Sequence, residues 1–185
     1  MESVRVFLPC TLPRLREALR TGEAESPLLR ACAVTPSLRE WYSEGDLEEL
    51  EYVALMDAAR MSLALLDREL VANPGAPRRR VVLAADVPAV SVEWSVGERT
   101  GVADEGEGEP DRSVVGLRQP IPMSAVVSAH VDDAEAEDAV AAAAASFVAA
   151  GLGSEDARFV VDEAEGHELL WWHPSELALL VLDLG

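Results

Sequence analysis

Apolar positions fall into three patterns along this chain. Short continuous runs, "VRVFLP" (4–9), "RACAVT" (30–35) and "VVLAADV" (81–87), have the length and β-branched content of buried strands. Alternating stretches follow: "AVSVEWSV" (89–96) reads as a neighbour of 81–87, and "SVVGLRQPIP" (113–122) and "SAVVSAHV" (124–131) as two further strands. Helical spacing appears in "TLPRLREALRTG" (11–22), where Leu12, Leu15 and Leu19 share a face. Thr11 caps that helix, Pro13 suits its first turn and Gly22 ends it. "TPSLREWYSEG" (35–45) repeats the grammar with Thr35 and Pro36.

The clearest element is a helix over 46–72. Asp46 followed by Glu49 makes a capping box, and no Gly or Pro interrupts the chain before Val71. At 1.5 Å per residue it spans about 40 Å. From Tyr52 to Leu66 it is apolar on nearly every side, broken mainly by Asp57, Arg60 and Ser62, which predicts a central helix packed on several faces. Further on, Asp132 is predicted to cap an alanine-rich helix over 133–150, closed by Gly151 and Gly153. "ARFVVDE" (157–163) and "HELLWWH" (167–173) read as strands, and "PSELALLVLDLG" (174–185) as a short last helix.

This order lacks regular βαβ alternation. It predicts one α+β domain over 1–185, with a mixed, largely antiparallel sheet packed by helices. The Gly- and acid-rich stretch 97–112 is expected to be a mobile loop. No run is long and apolar enough to span a bilayer, and the N-terminal segment does not resemble a secretory signal, so a cytoplasmic location with no membrane partner is expected.

Charge adds a constraint. The net charge is −19, and all 15 basic residues are arginine, a usage that fits a GC-rich genome. Residues 1–80 are nearly balanced, 11 Arg against 13 acids, whereas residues 81–185 carry 4 Arg against 21 acids. Such a surface repels phosphate backbones, so nucleic acid is not expected as a direct partner; the charge serves solubility, or forms an acidic face for a basic protein partner or a mimic of nucleic acid. Arg78, Arg79 and Arg80 form the only basic cluster, expected to be solvated or paired with acids elsewhere.

Phosphate-loop, dinucleotide, nucleophile-elbow and paired-cysteine zinc motifs are missing from the sequence, and no cofactor is implied. Cys10 and Cys32 have no base beside them in sequence and read as reduced packing residues. The three histidines occur with acids: His130, Asp132 and Asp133 in one segment, His167 and His173 in another. Converging at one end of a sheet, they would offer mixed imidazole and carboxylate ligands to a divalent metal. His167 and His173 would share a face of an uninterrupted strand, yet His173 also stands where a cap before Pro174 belongs. Trp171 and Trp172 point to opposite faces of that strand, one toward the core and the other either exposed as a binding anchor or buried beneath the neighbouring helix. A second grouping joins Arg39 and Trp41 with Asp57 and Arg60, one turn apart on the long helix; there the two charges pair, or Arg39 or Arg60 receives an anionic group.

The stretches "VRVFLPCTLPRLREAL", "AVTPSLREWYSEGDLEELEYVALMDAARMSLALL", "RRVVLAADVP", "HVDDAEAEDAV" and "DEAEGHELLWW" together resemble a family of small acidic actinobacterial proteins of unknown function. The resemblance implies one compact cytoplasmic domain and carries no activity, ligand or catalytic residue. Two functions stay open: a non-enzymatic protein that binds or regulates a protein partner, and a small metal-dependent, hydrolase-like enzyme using the His/Asp group.

Overall fold

The computed structural model describes residues 2–26, 29–94 and 112–184. The stretch 97–111, most of the predicted mobile loop, lies outside the described residues. Strands are β1 (Ser3–Cys10), β2 (Glu23–Ala24), β3 (Arg30–Ala33), β4 (Val81–Pro88), β5 (Val92–Glu93), β6 (Val114–Leu117), β7 (Ile121–Pro122), β8 (Val126–Asp132) and β9 (Leu169–Trp172). Helices are α1 (Leu12–Thr21), α2 (Pro36–Trp41), α3 (Leu47–Ala72), α4 (Glu137–Gly151), α5 (Glu155–Glu165) and α6 (Leu177–Asp183). Seven strands form one sheet in the order β5-β6-β3-β1-β4-β8-β9, with antiparallel pairings, while β2 and β7 pair apart. The fold is α+β.

Strand alternation sends Val6, Leu8, Val81, Leu83, Ala129 and Val131 to one face, where they meet buried residues of α1 and α6. Phe7, Val82 and Ala84 go to the other face, against Ala54, Leu55, Ala58 and Ala59 of α3. Alanine at these positions lets the long helix lie close to the sheet. On its far side, Leu63 and Leu66 pack with Val140, Ala143 and Ala144 of α4 and Val161 of α5. The predicted central helix is thus covered on two sides, with Tyr52 left exposed.

Its polar residues stitch it to strand ends. Ser62 Oγ donates to the Cys10 carbonyl (2.7 Å) and accepts from the Val81 N–H, so one hydroxyl serves β1 and β4. The Asp46–Glu49 capping box forms, as does the Thr35 cap on α2. Thr11 occupies the N-cap of α1 but does not cap it by its side chain, because its hydroxyl donates to Glu69 of α3 instead.

Three local expectations are corrected. Residues 157–163 are helical, not a strand: Ser154 caps α5, Glu155 and Asp156 suit its first turn, and Ala157, Val161 and Ala164 form a buried helical stripe. Among the described residues of 89–96, Ala89–Ser91 is a 3₁₀ turn and Val92–Glu93 is strand, paired with β6 at the far side of the sheet rather than with β4. Asp132 is not a helix cap. Asp133 caps the 3₁₀ turn before α4, while Asp132 ends β8 inside the molecule.

There Asp132 meets Arg80, fully buried with it, so that of the two fates expected for the arginine cluster, solvated or paired with acids elsewhere, Arg80 takes the second. Arg80 donates to the carboxylate from Nε (2.9 Å), Nη2 (2.7 Å) and its backbone N–H (2.6 Å). Nη2 also donates to the His167 carbonyl (3.1 Å), which ties the turn after α5 to the β4–β8 ladder. Two charges without water depend on each other. Asp132→Ala is expected to cost about 3–5 kcal/mol of stability, read as a lowered urea midpoint, because it strands the guanidinium. Replacing Arg80 with Met and Asp132 with Leu together should recover most of that loss. An unchanged midpoint for Asp132→Ala would show that the pair does not hold this region.

Candidate functional site

β9 is the last strand of the sheet, paired in register with β8 from Asp132↔Leu169 to Ala129↔Trp172. Its backbone orientation follows from its neighbour. The Asp132 N–H bonds to the Arg80 carbonyl, so Asp132 and His130 direct their backbone groups to β4, and Val131 and Ala129 direct theirs to β9. Leu170 and Trp172 therefore complete the ladder, and Leu169 and Trp171 turn their N–H and C=O groups to the open edge.

The side chains separate as the alternation predicts. Trp172 lies on the face of Val131 and Ala129 and packs, partly buried, on the core beside α6. Trp171 lies on the opposite face and is 59% exposed. His130 stands directly across the ladder from Trp171, and the His173 ring sits 6.0 Å from the indole, centroid to centroid. Two of the three histidines thus flank one exposed tryptophan.

This grouping is not the predicted metal site. Among the described residues no group of three or more His, Cys, Asp or Glu is placed to hold a metal ion. Asp132 is committed to Arg80, and Asp133 caps the turn before α4. The Nδ1 of His173 accepts from the Ser175 N–H while the His173 backbone N–H donates to the Glu176 carboxylate, so His173 caps the turn at Pro174. His167 precedes β9, in the turn after α5, so its even spacing from His173 does not place the two on one strand face.

The second predicted grouping is also redistributed. Arg60 of α3 bonds to Glu165 of α5 (2.9 Å), with Asp162 at 3.8 Å, and is 42% exposed, so it is not an ion paired only within its own helix. Asp57 accepts from Ser113 Oγ, and Arg112 stacks over the Trp41 ring at 3.7 Å. Trp41 and Asp57 thereby both hold the two residues before β6. Arg39, on α2, is exposed. Nothing in the sequence singles out Glu165, since only the packing of α5 on α3 brings it to Arg60; burial pushes its carboxyl above the ordinary range, with Arg60 opposing.

Burial pushes the Cys10 thiol up to about 12, which leaves it protonated and inert at neutral pH. A hollow of about 490 Å³ lies beside the turn at Pro74–Arg79, and one of about 180 Å³ beside Val87, Leu117 and Ile121; neither is lined by a histidine or cysteine.

His130 is held below the usual imidazole range, first by burial and second by the nearby Arg5 guanidinium. The folded state therefore prefers neutral imidazole, and the unfolded state binds its proton more readily. That contribution to stability is present above about pH 6.5 and is lost as pH falls below it. His130→Gln should flatten the decline of the denaturation midpoint between neutral and mildly acid pH. An identical decline in both proteins would contradict this assignment.

A family model described as a family of unknown function (DUF6912) matches residues 4–181. No curated protein and no solved structure matches the chain. The match spans both faces of the sheet, the described helices α1 to α6 in whole or nearly so, and the Trp171 edge; the chain belongs to the family of unknown function DUF6912.

Proposed function

We propose that this protein works by binding another protein, in a cytoplasmic and non-enzymatic, regulatory role, through the surface around Trp171. The observation that carries the reading is an indole left 59% exposed on an outer strand, beside two histidines. A tryptophan buries more apolar area on contact than any other side chain, and its ring is rigid, so little entropy is lost when a partner covers it. Its neighbour Trp172 is already used by the core, so the strand that presents Trp171 is anchored from behind.

Charge supports a basic partner and argues against nucleic acid. The acids of residues 81–185 outnumber arginines 21 to 4, a field that draws cations in and repels phosphates. Among the described residues no helix is long and apolar enough to cross a membrane. The metal-enzyme alternative draws no support from the arrangement of His130, His167 and His173.

The test compares three baits in cells of the source organism: the parent, Trp171→Ala, and Leu152→Ser, which removes an 84% exposed apolar residue on another face. Captured proteins are identified by mass spectrometry. The reading expects at least one protein held by the parent and by Leu152→Ser but lost with Trp171→Ala, with an association rate that falls as salt rises. Identical captures from all three baits would refute a role for Trp171.

A further inference from the structure

We propose that the open edge of β9 receives an extended, arginine- or lysine-bearing segment of its partner as an added strand. The inference rests on the reading of Trp171 as a protein-binding residue and specifies how the partner is held.

The backbone supplies the first argument. Leu169 and Trp171 each direct one donor and one acceptor away from β8, and among the described residues no hydrogen bond from another segment reaches them. Sheet edges are usually protected by shortness, proline, a bulge or an inward-pointing charge. β9, "LLWW", is short but has no proline, bulge or charge, and its register with β8 runs unbroken from Leu169 to Trp172. Four outward backbone groups fit an extended chain, as in other cases of strand addition.

Charge chooses the occupant. The segment 162–176 carries Asp162, Glu163, Glu165, Glu168 and Glu176 and no arginine. The nearby Arg60 is bound by Glu165, and Arg80 is buried against Asp132. A second copy of this chain would bring the uncompensated Glu163, Glu168 and Glu176 against themselves, so a basic segment is favoured over self-pairing. The side chain opposite Trp171 on an added strand would lie beside the indole face, where a guanidinium is attracted to the ring. This chain already makes such a contact, Arg112 over Trp41 at 3.7 Å. The next position, opposite the exposed Leu170 on the other face, suits an apolar side chain. The recognised pattern is therefore an alternation of basic and apolar residues.

The experiment titrates a capped hexapeptide of alternating arginine and valine into the ¹⁵N-labelled full chain, with a glutamate–valine hexapeptide as control. The expected result is binding of the arginine peptide alone, weaker at high salt, with nuclear Overhauser contacts from peptide backbone protons to the amides of Leu169 and Trp171. Trp171→Ala should weaken binding about five- to tenfold by removing the ring. Trp171→Pro also removes an outward N–H, which an edge strand tolerates without loss of its ladder, and should abolish binding. Its thermal unfolding is measured first; should it not fold, the backbone contacts in the parent decide alone. Equal binding of both peptides, or no binding of either, overturns the proposal. Binding that shifts the Trp171 indole without backbone contacts overturns strand addition while leaving Trp171 as a binding residue. Self-association of the chain through β9 would replace the basic segment with a second copy and overturn the choice of occupant.

Discussion

The ion pair between Arg80 and Asp132 is the constraint on which the rest of this structure turns. Both groups lie out of water where β4 begins and β8 ends, and each is bearable there only because the other is present. The fork of the guanidinium fixes the two strands' relative position, and its further bond to the His167 carbonyl fixes where the chain leaves α5. β9 starts two residues later. The position of the outer strand, and of the tryptophan it presents, therefore follows from a charge buried inside the sheet's end.

Around that pair the architecture divides its labour. One face of the sheet buries aliphatic residues against α1 and α6, and Trp172 joins them from the edge. The other face takes α3, whose Ser62 and Glu69 satisfy groups at the end of β1 that an all-apolar helix would leave stranded. α4 and α5 then close over α3. Among the described residues, no helix packs over Trp171 at the far end of the second face, where it lies beside the partly buried His130 and the His173 ring. Rigid support beneath and an uncommitted aromatic above are the physical conditions for a docking strand.

Local rules made the helix starts legible. Thr35, and Asp46 with Glu49, act through bonds a few residues long, and sequence alone contains all their partners. The α5 segment misled because Phe159, Val160 and Val161 favour strands, while the decisive stripe of Ala157, Val161 and Ala164 is faint in hydrophobicity. Which arginine of the cluster is buried stays open in the sequence for a different reason. Three successive arginines look alike in sequence, and only the register with Asp132 selects the one that turns inward. At the site, the opposed faces of Trp171 and Trp172 followed from the strand period, but which ring stays exposed depends on the side α6 covers. His167 was grouped with His173 by assuming a strand that starts two residues later than supposed.

The central claim is that β9 is an open edge held firmly from one side. Residue-resolved amide hydrogen exchange on the free protein tests it most directly. The account predicts alternation along four residues: Leu170 and Trp172 exchange slowly, bonded to β8, while Leu169 and Trp171 exchange far faster. A Trp171 amide as protected as that of Trp172 would mean that something already covers the edge, and would contradict the account.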